Sequence, residues 1–193
     1  MTRSRQTADW GSRAGLAKIV PSSVAVGSGT GSSDALGNVT FSGCSSVSLN
    51  GCFSSTYDNY LILSSFTGTG SSVNLNIRLR VSGTDASGTS TYNFQYIDGS
   101  NTSITGARTS DNTFFIGTSS NTSSMLQSVK INLYDAFKAS PTAIQSENQS
   151  NISSGYLRFS GGSHTVSTSY DGFTIYPGSG NLTGNIEVFG YTQ

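Results

Sequence analysis

The sequence predicts an all-β protein, a jelly-roll-like antiparallel β-sandwich with an extended N-terminal arm. Three observations lead there. Val73, Leu75, Ile77, Leu79 and Val81 alternate with Asn74, Asn76, Arg78 and Arg80, the period of two that turns one face of a strand to a core and the other to water. Stretches such as TGTGSS, SGTDASGT, DGSNTS and PGSGNLTG separate the apolar runs, which is the turn chemistry of many short strands. Charged residues make up only 10 %, whereas Ser and Thr number 60 and aromatic residues reach 10 %. A disordered chain usually pairs high net charge with few aromatics. Here the net charge is zero, so a folded chain with a surface of hydroxyls, amides and backbone is expected.

Residues 1–37 read as an arm ending in a linker. Trp10, Leu16, Ile19, Val20, Val24 and Val26 follow no sustained period, and GSGTGSSDALG supplies a flexible connection. Apolar side chains of this kind are expected to bury either on the body or on a partner. Within residues 1–18, Arg3, Arg5, Arg13 and Lys18 face only Asp9, a local excess of three positive charges. Arg3, Arg5, Trp10, Arg13, Leu16, Lys18 and Ile19 are therefore the expected docking residues, and an acidic protein surface is the expected target. Nucleic acid is not, because the other six basic residues are dispersed over the body instead of clustered on a face.

Residues 38–193 read as one sandwich domain, and a 193-residue chain is long enough to bury roughly 70 % of its unfolded surface around one core. Strands are expected at 39–41, 47–49, 60–66, 73–81, 92–96, 113–116, 129–133, 156–159, 173–176 and 186–191. Only 135–139 and parts of 119–127 allow a brief helix. Within FSSTYDNYLILSSF, Asp58-Asn59 suits a turn. Tyr60, Ile62 and Ser64 then take one face and Leu61 and Leu63 the other, so this strand should lie centrally in its sheet.

Little in the chain points to catalysis, and no catalytic residue, cofactor or metal ligand set is assigned. His164 is the only histidine, so a hydrolase triad or a His-ligated metal would rest on it alone. Asp85, Asp98 and Asp171 sit in turn contexts where a carboxylate caps local N–H groups. No D-x-D-x-D-G spacing concentrates charge for Ca²⁺. No apolar run approaches the ~20 residues of a membrane span, and the N-terminus lacks the apolar core of a secretory signal. Cys44 and Cys52 are the only cysteines, leaving either one bridge or two buried thiols. Carbohydrate binding stays open, since it needs an aromatic platform beside hydrogen-bonding side chains. Tyr92, Tyr96, Tyr156 and Tyr170, with Tyr176, are the candidates, and each is equally readable as core with its hydroxyl at the rim.

The segments GLAKIVPSSV, NVTFS, FSSTYDNYLIL and DGFTIYPGSGNLTGNIEVFGY, in that order, resemble small structural proteins of tailed bacteriophages, where such domains serve as tail-fibre or spike components and virion-surface proteins. The resemblance spans nearly the whole chain and brings no catalytic residues. It implies a non-enzymatic virion protein assembled in the host cytoplasm. Its arm would attach to tail, portal or capsid proteins, and its β-domain would face outward, often as a trimer, with host surface polysaccharide as a possible contact. A capsid decoration protein or a glycan-binding recognition module is the alternative.

Overall fold

The computed structural model describes residues 15–69, 73–119, 126–150 and 155–192. Within them the chain forms sixteen strands and no helix. The first eight are β1 (Leu16–Ile19), β2 (Ser23–Val26), β3 (Thr30–Ser33), β4 (Val39–Cys44), β5 (Val47–Asn50), β6 (Asn59–Gly68), β7 (Val73–Val81) and β8 (Thr84–Asp85). The remainder are β9 (Tyr92–Ser100), β10 (Ser103–Asp111), β11 (Phe114–Ser119), β12 (Gln127–Tyr134), β13 (Thr142–Ser150), β14 (Tyr156–His164), β15 (Gly172–Pro177) and β16 (Leu182–Tyr191).

Every pairing is antiparallel, and the strands divide into two sheets. The larger runs β10-β9-β14-β13-β12-β6-β16-β4-β3, with β1 also on β16, and the smaller runs β11-β7-β15-β5-β2, with β8 on β7. The chain is thus an all-β, jelly-roll-like antiparallel sandwich. Alternation does the sorting: Tyr60, Ile62 and Phe66 of β6 and Val129, Ile131 and Leu133 of β12 point inward from the larger sheet. Leu75, Ile77 and Leu79 of β7 with Phe173 and Ile175 of β15 meet them from the smaller. Burial of such side chains stabilises by about 1.5–3 kcal/mol each.

β6 lies between β12 and β16, as a strand apolar on both sides should. Tyr60 at its start is fully buried, with its ring 4.6 Å from that of Phe53. Its hydroxyl donates to the Ser54 carbonyl at 2.7 Å and accepts from the Ser54 N–H at 2.8 Å. Tyr92 does the same between strands, accepting from the Leu79 N–H and donating to the Ala86 carbonyl, both at 2.9 Å.

Three expectations need correction. The arm and linker drawn over 1–37 do not hold for residues 15–37, which carry β1, β2 and β3 and belong to the sandwich. Leu16 to Ile19 pair with Tyr191 to Val188, and Ile19, Val24 and Val26 pack on the core. Their apolar side chains find partners within the chain itself. Residues 1–14 lie outside the described residues. The brief helix at 135–139 is instead a turn, with Asp135 at φ 59° and Lys138 bridging Asp135 at 2.6 Å and Asp58 at 3.1 Å; residues 120–125 of the second candidate lie outside the described residues. Finally, the outer face of β7 is not simply solvated. Arg80 donates to Asn50, Ser48 and Thr174 and pairs with Asp85, while Arg78 donates to the Asn112 carbonyl, so hydrogen bonds close this face of the smaller sheet. Cys44 and Cys52 are both free and buried, and burial pushes the Cys52 thiol up to about 12, which keeps it protonated and unreactive.

Candidate functional site

The outer face of the larger sheet is open. Because side chains alternate and the strands are in antiparallel register, residues that face outward line up across the strands. Glu147, Phe159, Ile97 and Gly106 form one such row, and Gln145, Gly161, Gln95 and Arg108 form the next. Phe159 is 47 % exposed and Ile97 56 %, with Leu157 and Ile104 exposed beside them. Phe159 and Ile97 are cross-strand partners, so with Leu157 and Ile104 they make an apolar patch instead of scattered single exposures, and a contiguous patch is what points to a binding surface. A groove of about 870 Å³ runs over β9, β13 and β14, lined on its outer side by Gln95, Ile97, Arg108, Gln145, Phe159 and Gly161.

Two glycines shape the groove for different reasons. A Cβ on Gly162 would collide with the Asn93 carbonyl, so this glycine lets β14 lie close on β9. A Cβ on Gly161 would meet nothing within 4 Å. Gly161 is therefore a gap in the face, floored by backbone and flanked by Gln95 and Gln145, its register partners on either side. Glu147 beyond Phe159 is paired with Lys130 at 3.1 Å.

Below this surface, on the inner face of the same strands, lies an ion pair that the sequence did not announce. Arg158, 5 % exposed, donates to both carboxylate oxygens of Asp98 at 2.6 and 2.8 Å, to Asn74 Oδ1 at 3.1 Å and to the Gly117 carbonyl at 3.2 Å. Its guanidinium carbon sits 4.2 Å from the Tyr96 ring centroid and 5.8 Å from that of Tyr156. Burial acts to raise the Asp98 carboxyl, but the hydrogen bonds from Arg158 and Tyr156, together with the Arg158 charge, outweigh it and hold the group below its ordinary value. Asp98 is thus a cross-strand partner of Arg158 in the register of β9 and β14, and its expected role as a turn residue is corrected.

The other expected site residues separate. Tyr92 is fully buried and Tyr170 is 1 % exposed, so neither offers the open ring face that stacking requires, and both are corrected to core positions. Tyr96 and Tyr156 are half-buried and turned inward around Arg158. Tyr176 is half-buried with Arg78 over its ring at 5.0 Å. Leu16, Lys18 and Ile19 lie on β1, where Lys18 bonds Glu187 and Asn38, while Arg3, Arg5, Trp10 and Arg13 lie outside the described residues. Phe159 and the two glutamines were missed. The signal available was the FSGGSH stretch, where a lone aromatic precedes two glycines in a strand.

No protein-family model matches the chain, and no curated relative matches it by sequence. Among solved structures it is similar to peanut lectin with a nine-residue peptide, at 10 % identity over 94 % of this chain and 100 % of that one, with a TM-score of 0.30. It is also similar to a protein of unknown function from Shewanella oneidensis MR-1, at 9 % identity over 92 % of this chain and 79 % of that one, with a TM-score of 0.29.

His164 gives a pH-dependent prediction. It is 1 % exposed, its Nδ1 lies 3.0 Å from the Tyr170 hydroxyl, and its ring packs edgewise on Tyr92 and Tyr170. Burial pushes its imidazole from 6.5 down to about 4. The unfolded chain therefore takes up a proton below pH 6.5, whereas the folded chain does so only near 4. Stability is full above pH 6.5 and falls as pH drops toward 4, by on the order of 3 kcal/mol. Urea midpoints at pH 7.5 and 4.5 should differ accordingly in the wild type and nearly coincide in His164→Gln; equal slopes in both proteins would defeat the assignment. Among the described residues no group of three His, Cys, Asp or Glu side chains is placed to hold a metal ion.

Proposed function

We propose that the chain is a non-enzymatic structural protein of a bacteriophage virion. In this reading it is attached through its basic N-terminal segment and displays the outer face of the larger sheet toward the host surface. Support comes from the way attachment and presentation are separated on that sheet. β1, the strand through which residues 1–14 join the fold, pairs at β16, and Gly15 is tied there to Thr192 by hydrogen bonds of 2.7 and 2.9 Å. The groove over β9, β13 and β14 lies toward the opposite flank. From β1 to β14 the order is β1-β16-β6-β12-β13-β14, five strand spacings or about 24 Å. A partner bound at the β1 end of the sheet would leave the groove uncovered.

The low charge content suits life outside a cell. Exposed ion pairs contribute little and are screened by salt, whereas backbone ladders and buried tyrosine bonds are not. Recognition of surface polysaccharide is the second element, favoured by the open Phe159 beside the Gln95 and Gln145 amides, which have no hydrogen-bond partner among the described residues.

Antibody raised against the chain should label purified phage particles from cells that express it, and deletion of residues 1–14 should abolish labelling while the truncated protein keeps its β-type circular dichroism. Particles that carry no label, or that incorporate the truncated chain as well as the full one, would refute attachment by this segment. Deletion of all 37 residues is unsuitable, because it removes β1, β2 and β3.

A further inference from the structure

We propose that the outer groove is a subsite for an acidic sugar, in which a pyranose ring stacks on Phe159 across the gap at Gly161 and is held by Gln95, Gln145 and Arg108. The proposal rests on the recognition element of the function proposed above and gives it residues and a ligand class.

Four observations converge on it. First, the Phe159 ring is open to solvent on a sheet face and stands two residues from Gly161 on the same side of β14. The C–H face of a pyranose is apolar and flat, and it can cover such a ring without unmet hydrogen bonds. Second, the missing side chain at Gly161 leaves room for the substituents of a ring lying over β14, with backbone beneath and nothing within 4 Å of the vacant Cβ position. Third, Gln95 and Gln145 occupy the strands on either side, two strand spacings apart, or about 9–10 Å. Both are exposed, and their side chains make no hydrogen bond among the described residues. A primary amide offers two donors and an acceptor, which matches hydroxyls that both donate and accept. Fourth, Arg108 is next in the same row beyond Gln95, exposed and without an ion-pair partner among the described residues, whereas the nearby carboxylate of Glu147 is neutralised by Lys130. The groove therefore carries one uncompensated positive charge, presented as a planar fork suited to a carboxylate. That charge selects a uronic-type sugar over a neutral one. An extended peptide is a poorer fit, because peptides added to sheets pair with edge backbone, and the backbone of β14 is already paired on both sides.

The test is binding of the full chain to polygalacturonate, to its methyl ester and to dextran, measured by calorimetry or by retention on immobilised polymer. Polygalacturonate should bind, dextran and the methyl ester at least tenfold more weakly. Phe159→Ala and Gly161→Val should each weaken polygalacturonate binding at least tenfold, and Arg108→Gln should erase the preference for the free acid over its ester. All three positions are exposed, so unchanged thermal unfolding is expected and separates lost binding from lost fold. If polygalacturonate binding survives both Phe159→Ala and Gly161→Val, this subsite is wrong and recognition lies on another face. If the wild type binds none of the three polymers, the subsite and the recognition element fall together, while labelling of particles by antibody still decides virion attachment by itself.

Discussion

Arg158→Ala should destabilise the fold by about 3–5 kcal/mol, the cost of leaving a buried charge without its partner. Four acceptors lose their donor at once: the two Asp98 carboxylate oxygens, Asn74 Oδ1 and the Gly117 carbonyl. The Tyr96 ring also loses the cation packed against it. Those acceptors lie on β9, β7 and β11, so one side chain ties the larger sheet to the smaller near the exposed flank. The double variant Arg158→Met with Asp98→Leu should recover most of the loss, because two matched apolar groups remove the desolvation problem together. A pH series adds a sign. With Arg158 gone, burial, the largest influence on Asp98, is opposed only by the weaker hydrogen bond from Tyr156 and raises the carboxyl above its unfolded value, so protonation favours the folded state. The deficit of Arg158→Ala relative to wild type should shrink as pH falls below about 5. A deficit under 1 kcal/mol by urea denaturation, or one that widens at low pH, would contradict this account.

Tyr60→Ala should cost a similar amount, about 3–5 kcal/mol, as removal of a fully buried aromatic does. The more informative variant is Tyr60→Phe. It keeps the ring against Phe53 but strips the hydroxyl that serves both the N–H and the carbonyl of Ser54, and it should cost about 1–3 kcal/mol. The difference between the two variants apportions packing and hydrogen bonding at the start of the central strand. If Tyr60→Phe were as damaging as Tyr60→Ala, the ring would be contributing nothing through its packing.

Strands that bury apolar side chains on alternate positions were legible from the sequence, which is why β6, β7, β12, β15 and β16 were expected within a few residues of where they lie. The strands missed have a common physical reason. β13 turns Thr142, Ser146, Asn148 and Ser150 inward with Ile144, so its buried face is mostly polar and leaves no hydrophobic period. β10 is exposed along nearly its whole length and is held by backbone pairing to β9. β1, β2 and β3 are four residues each, and only half of each strand is shielded. Their GSGTGSS context reads as a linker until β4, β5 and β16 are present to pair with. The candidate site failed for a related reason. Tyrosine was the natural choice for a stacking surface, yet Tyr92 and Tyr170 are more valuable inside, where their hydroxyls have partners. Phe159, which lacks a polar handle, is the ring left outside. Register across three strands places it beside Gly161, Gln95 and Gln145, and register between distant segments is not written in any local stretch.

The order of strands also governs how the protein is made. β15 and β16 come last in the chain, yet β15 is central in the smaller sheet, between β7 and β5, and β16 is central in the larger, between β6 and β4. Until translation reaches them, β5 and β2 have no link to β7 and β11, and β4 and β3 have none to β6. Before then the chain can form the run from β10 to β6 and the pair β7–β11, but neither complete sheet. The final joins pair Phe173 with Leu49 and Leu182 with Cys44, contacts of long sequence separation that close slowly. Closure of the sandwich therefore waits for the two strands that join its separate parts.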